Sequence, residues 1–113
     1  MKEFMLIFIG TDPTNANLSP DQMQAHMGKW FSWIDSLKAK GTYIEGRPLI
    51  PAAKTVKGKK PVVTDGPFAE SKEIVGGYFI VKASSLEEAA GIAKDCPDFE
   101  LGGAVEVREV MKM

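Results

Sequence analysis

Ile74-Val75-Gly76-Gly77-Tyr78-Phe79-Ile80-Val81-Lys82-Ala83 is the stretch on which the fold turns. Successive side chains of a strand point to opposite faces. Phe79 and Val81 therefore share one face and Tyr78 and Ile80 the other, and both faces are apolar. A strand of this kind has to be covered on both sides. Lys2 to Gly10 has the same character: Phe4, Leu6 and Phe8 point one way, and Met5, Ile7 and Ile9 the other. Ala104 to Met111 differs, because Val105 and Val107 stand opposite Glu106 and Arg108.

Helical patterns separate these strands. Ser19-Pro20-Asp21-Gln22 combines a capping serine, a proline suited to the first helical position and the glutamine of a capping box. Met23, Met27, Trp30, Ile34 and Leu37 follow at four- and three-residue steps as one apolar stripe, with Phe31 beside it. Gly41 is the expected stop. Thr42 to Ile50 reads as a strand interrupted by Gly46 and Pro48, and Pro51 to Pro61 as a loop or irregular hairpin arm. Val62-Val63-Thr64 forms a short strand running into the Asp65-Gly66-Pro67 turn. Ser84-Ser85-Leu86-Glu87-Glu88 opens a second helix with Leu86, Ala89, Ala90 and Ala93 as its buried stripe, ended by Pro97.

The order is β-α-β, an insert, then β-α-β. This is the split βαβ, or ferredoxin-like, α+β pattern: an antiparallel four-stranded sheet with two helices on one face and an inserted hairpin or loop. The first and third strands of that sheet are central, which suits the two strands that are apolar on both faces. Two helices cover only one face, so the other is expected to meet a second copy, sheet to sheet. The expected assembly is a homodimer.

The 113 residues fit a single domain, residues 1–113. Fourteen Lys and Arg stand against 15 Asp and Glu, a net charge of −1, which argues against nucleic acid as a partner. The basic run Lys54 to Lys60 reads as a solvated turn or, alternatively, a phosphate contact. One cysteine, Cys96, excludes an intramolecular disulfide and suggests a reducing, cytoplasmic setting. Before Pro97 it reads as a small, partly buried residue, with a reactive thiol as the other reading. One histidine and one cysteine disfavour a zinc site, no dinucleotide or phosphate-loop fingerprint is present, and no cofactor is expected. Phe4 to Ile9 is too short to span a bilayer and lacks a cleavage site after it, so no membrane is expected either.

Val62-Val63-Thr64-Asp65-Gly66-Pro67-Phe68-Ala69-Glu70-Ser71-Lys72-Glu73, followed by Gly76-Gly77-Tyr78, closely resembles the signature of the DGPF branch of the YCII-related proteins. Gly41 with Gly46, Pro48 and Leu49, and Ala104-Val105-Glu106-Val107-Arg108, resemble the family's second-strand region and final strand. The resemblance covers nearly the whole chain. It implies a dimeric α+β barrel, two ferredoxin-like protomers packed through their sheets with a cleft near the interface. It also implies neighbouring genes for extracytoplasmic-function sigma factors. A related branch includes a dehydrochlorinase acting on a chlorinated aromatic, with a His and an Asp as its acid–base pair.

Asp65 and His26 are the candidate catalytic residues. Asp65 is explained by turn geometry alone, or else the turn aims its carboxylate into the dimer cleft. His26 lies on the first helix, where the YciI branch also carries a histidine. It packs as a boundary residue on Trp30 and Trp33, or it shuttles protons near neutral pH. Trp30 falls mid-stripe and reads as core, while Trp33 is peripheral and suits a pocket wall. Arg47 suits a carboxylate. Glu106 and Arg108 form an interfacial ion pair or contact a ligand, and Tyr78 joins Arg47, Trp33, Glu106 and Arg108 as the candidate ligand-binding set. Glu70, Lys72 and Glu73 suit local salt bridges or caps. Gly76-Gly77 leaves room for close backbone approach.

Three functions fit: a protein binding a small molecule near the dimer interface, a cofactor-independent lyase or isomerase using Asp65 and His26, and an interaction module tied to sigma-factor regulation. A cleft holding Asp65 beside other titratable groups favours the enzyme. A cleft filled by apolar side chains favours the module.

Overall fold

The computed structural model describes residues 1–10, 18–67 and 74–113. Its elements run β1 (Lys2–Gly10), α1 (Pro20–Ala39), β2 (Tyr43–Pro48), β3 (Lys54–Lys57), β4 (Val62–Asp65), β5 (Ile74–Ala83), α2 (Leu86–Ala93), a 3₁₀ turn (Pro97–Leu101) and β6 (Ala104–Glu109). Four strands form an antiparallel sheet in the order β2-β5-β1-β6, with the two doubly apolar strands central. The insert is a separate hairpin, β3 paired with β4.

Phe4, Leu6 and Phe8 stand opposite Val81, Phe79 and Gly77 across β1 and β5. With Trp33 and Leu37 of α1 and Ala89 and Ala93 of α2 they form the core, so both helices cover this one face. Phe4, Leu6 and Val81 are fully buried, each worth about 1.5–3 kcal/mol relative to an exposed position. Val105 and Val107 pair with Phe8 and Leu6 and pack against this core. Glu106 and Arg108 pair with Ile7 and Met5 on the open face. Tyr78 and Ile80 are on that face too, opposite Arg47 and Glu45 of β2.

Both ends of α1 form as the local chemistry requires. The Ser19 hydroxyl accepts from the Gln22 N–H at 3.1 Å, and the Gln22 side chain accepts from the Ser19 N–H at 2.9 Å. At the far end Thr42 N–H reaches the Leu37 carbonyl and Gly41 N–H the Lys38 carbonyl, with Gly41 at φ 70°. This pair of bonds ends the helix in a Schellman motif.

The inward face of α1 differs from the expected stripe. His26, Trp33 and Leu37 are buried and Trp30 half-buried, while Met27 and Phe31 are 44% and 60% exposed. The first half of α1 spans an opening rather than the packed core, so its methionines border that opening. The second helix also buries a narrower set than expected: Ala89 and Ala93 are inside, whereas Leu86 is half exposed. Ser85 caps it through the Glu88 N–H. The Glu88 carboxylate reaches back to Ser84, one residue short of a reciprocal capping box.

Gly76-Gly77 makes the close approach expected of it, toward the chain's own second strand. Register shifts between Phe8 and Ile9, leaving Gly76 as the bulged residue whose carbonyl accepts from Leu49 N–H. Gly77 sits at φ 155°, and a Cβ there would lie 2.6 Å from the Arg47 carbonyl oxygen.

Candidate functional site

A cavity of about 410 Å³ opens between α1 and the end of the sheet where β1 stops and β5 begins. Phe8, Trp30, Phe31, Phe79, Met23 and Ile34 are among the side chains of its apolar wall. Three of these rings interlock edge to face. Phe8 lies 4.9 Å from Trp30 and 4.8 Å from Phe79, and Trp30 lies 5.7 Å from Phe79. The aromatic geometry fixes the wall and borders the open space beside it. This is the concave, mostly apolar shape of a small-molecule site.

Polar groups enter at two places. On one side the 3₁₀ turn brings Asp98 against α1. Its Oδ1 lies 2.8 Å from His26 Nε2 and accepts from Trp30 Nε1 at 3.2 Å. The turn is shaped for this. Gly102 is left-handed at φ 81°, and Gly103 N–H donates to the Asp98 carbonyl at 2.9 Å. Next to it Lys29 Nζ holds Glu100 at 2.7 Å, and this ammonium keeps the exposed Glu100 carboxyl below its ordinary value. On the other side Tyr43 and Gly46 of β2 line the cavity.

The His26–Asp98 contact determines where the imidazole proton sits. An ionised carboxylate only accepts, so Nε2 carries the proton toward Asp98 and a neutral His26 has its lone pair on Nδ1. Nδ1 has no hydrogen-bond partner among the described residues, and it is not sealed from the cavity or solvent. A base oriented by a carboxylate through its other nitrogen is the arrangement by which an imidazole takes a proton from a bound molecule.

The expected site residues divide. His26 lines the cavity; Arg47 borders it from the edge strand, but its register opposite Tyr78 turns its side chain to the open face of the sheet. Trp33 does not line it; it is 6% exposed in the core, and its Nε1–H has no partner among the described residues. Trp30, expected in the core, is the tryptophan of the wall. The two exchange roles because the inward face of α1 is centred on the His26–Trp33–Leu37 line. Tyr78, Glu106 and Arg108 lie on the opposite face of the sheet and outside the cavity wall.

Asp65 ends β4 on the separate hairpin. Its carboxylate is 89% exposed and pairs with Lys54 at 2.7 Å. It stands apart from His26, whose carboxylate partner is Asp98. Gly66 takes φ 90° as turn geometry requires, while Phe68, Glu70, Lys72 and Glu73 lie outside the described residues. Sequence reasoning missed Asp98. The available signal was Pro97 ahead of Asp98 with Gly102-Gly103 closing behind, a turn pattern that says nothing of His26. Cys96 is buried beside this turn, and burial pushes its thiol up to about 11. The described residues hold no group of three metal-ligating side chains and no helix long and apolar enough to cross a membrane.

The model of the YCII-related domain matches residues 4–113. An uncharacterised protein of Rhizobium meliloti (strain 1021) is 34% identical over 77 residues, which takes in 58% of this chain and 62% of that protein. The match thus spans less than two thirds of that relative. Among solved structures, 5-chloro-2-hydroxyhydroquinone dehydrochlorinase from Burkholderia phenoliruptrix AC1100, in complex with 2,5-dihydroxybenzoquinone, is similar at 21% identity and a TM-score of 0.49, covering 96% of this chain and 93% of that one.

Proposed function

The chain belongs to the YCII-related family, and from that footing we propose that it binds a small, largely apolar molecule between α1 and the sheet and moves a proton on it without a cofactor. His26 is the base and Asp98 orients it. The observation that carries this reading is the 2.8 Å contact between His26 Nε2 and Asp98 Oδ1 in the wall of an apolar cavity. A lyase or isomerase step needs little more than a held substrate and one group to take and return a proton.

Asp65 has no part in this proposal. A homodimer does. The open sheet face carries Met5, Ile7, Tyr78 and Ile80 among Glu45, Arg47, Glu106 and Arg108, and a second copy packing on it suits that mixture of apolar centre and charged edges. The cavity lies on the helix side of the sheet, so the base and its carboxylate come from one protomer.

The test is ligand-observed NMR against a library of apolar fragments, followed on the protein by the His26 ring and Trp30 indole signals. Binding fragments should move both. Fragments that bind and leave both unmoved refute the site.

A further inference from the structure

The His26–Asp98 pair occupies one side of the cavity and leaves the other to β2. Tyr43 starts that strand, and its side chain is on the helix face, opposite Val81. The ring does not stand straight up from the sheet. It lies along β2 toward Gly46, so that a Cβ built on Gly46 would be 2.8 Å from the Tyr43 hydroxyl and 2.4 Å from the Phe79 ring. Three neighbours hold it there. The Phe79 ring lies edge-to-face at 5.2 Å, the Lys38 ammonium lies 5.6 Å from its centroid, and Gly46 leaves the space the hydroxyl needs.

Tyr43 and Gly46 both line the cavity. The Tyr43 hydroxyl has no hydrogen-bond partner among the described residues, yet it is not sealed in protein. A half-buried hydroxyl normally finds a partner. Burial raises its pKa above 10.0, so it stays a protonated donor across the physiological range.

We propose that the Tyr43 hydroxyl is a ligand-binding donor, placed across the cavity from His26 and set to hold an oxygen acceptor, a carbonyl or carboxylate oxygen, of the bound molecule. This deepens the proposed function and rests on it. β2 and β6 are opposite edges of the sheet, three strand spacings or roughly 14 Å apart. The cavity reaches from Tyr43 and Gly46 of β2 to His26 on α1 and Asp98 in the turn that leads into β6, with Phe8, Phe79 and Trp30 forming its apolar middle. The ligand class that fits is an apolar ring or chain with an oxygen acceptor at one end and the exchangeable proton nearer the other. Gly46 is then a specificity-determining position, because any side chain there displaces the hydroxyl.

The experiment titrates the full chain and its Tyr43→Phe variant with two probes of one shape, acetylnaphthalene, which carries a carbonyl, and ethylnaphthalene, which does not. The variant keeps the ring, and near-ultraviolet circular dichroism checks that it packs as before. The ketone should bind the variant on the order of fivefold more weakly, while the hydrocarbon binds both alike. Equal binding of the ketone to both proteins, or equal weakening of both probes, overturns the role of Tyr43 and leaves the cavity standing. Failure of either probe to bind the unsubstituted chain overturns the cavity reading and this inference with it.

Discussion

His26 and Asp98 are 72 positions apart in sequence and 2.8 Å apart in space. Their contact is the point where α1 is tied to the 3₁₀ turn, and it is also part of the cavity wall. With Trp30 donating to the same oxygen, Asp98 serves two side chains of one helix face.

Removing the carboxylate therefore orphans two donors. Asp98→Ala should destabilise the fold by about 1–3 kcal/mol, the cost of leaving partly buried polar groups unpaired. Asp98→Asn keeps a neutral oxygen that both donors can share, and should lose less. Urea denaturation of the three proteins gives the order directly; an alanine variant as stable as the parent would break the argument.

Gly77→Ala should be among the most damaging single-methyl changes in the chain. Its φ of 155° disfavours a side chain, and the added carbon meets the Arg47 carbonyl at 2.6 Å, which is backbone and cannot rotate away. A loss of about 2–4 kcal/mol is expected, since strain and overpacking act together. Amide exchange should place the damage at the β2–β5 pairing.

Alkaline pH should weaken the fold partly through Cys96. Its folded-state thiol titrates at about 11 against an ordinary 9.0, because burial disfavours the thiolate. The folded chain thus holds a proton that the unfolded chain releases first. The resulting stabilisation is complete below pH 9.0 and is lost as pH rises toward about 11. Melting curves of the parent and of Cys96→Ala should converge across that window. A constant gap would contradict the assignment.

Asp65→Asn should change little. The Lys54 pair is on the surface and contributes roughly 0–1 kcal/mol. Binding of any ligand in the His26 cavity should be unaffected, whereas His26→Ala should abolish proton transfer on it. Loss of binding in the Asp65 variant alone would return that turn to the site.

Ile7→Arg addresses the open face. Ile7 pairs with Tyr78 and Glu106 there, and an added cation in an apolar interface should drive a dimer to monomer in light scattering. A parent chain that is already monomeric at micromolar concentration would remove the second copy from the proposal.

The architecture was legible because its signals are local. Apolar side chains on both faces of β1 and β5 identified two central strands, and capping residues at Ser19, Gly41 and Ser85 marked helix ends without any tertiary information. The site was legible only in part. His26 could be singled out as the one histidine, but its partner depends on how a 3₁₀ turn at the far end of the chain docks on α1. The exchange of Trp30 and Trp33 has the same origin. A rotation of α1 by less than one residue step decides which indole meets the core, and the apolar pattern Met23-Met27-Trp30-Ile34 tolerates either. Asp65 drew attention because its motif is distinctive in sequence, and the hairpin that carries it is a distinct part of the fold.

The two indoles give the protein a pair of built-in optical reporters. Trp33 is enclosed by hydrocarbon and its N–H has no partner among the described residues, whereas Trp30 donates to a carboxylate at the cavity wall. Emission from Trp33 should be blue-shifted and follow only global unfolding. Trp30 has a charged acceptor beside its ring, so its emission should respond when the cavity fills. A single Trp33→Phe protein would then report occupancy by fluorescence alone, with no label and no knowledge of the substrate.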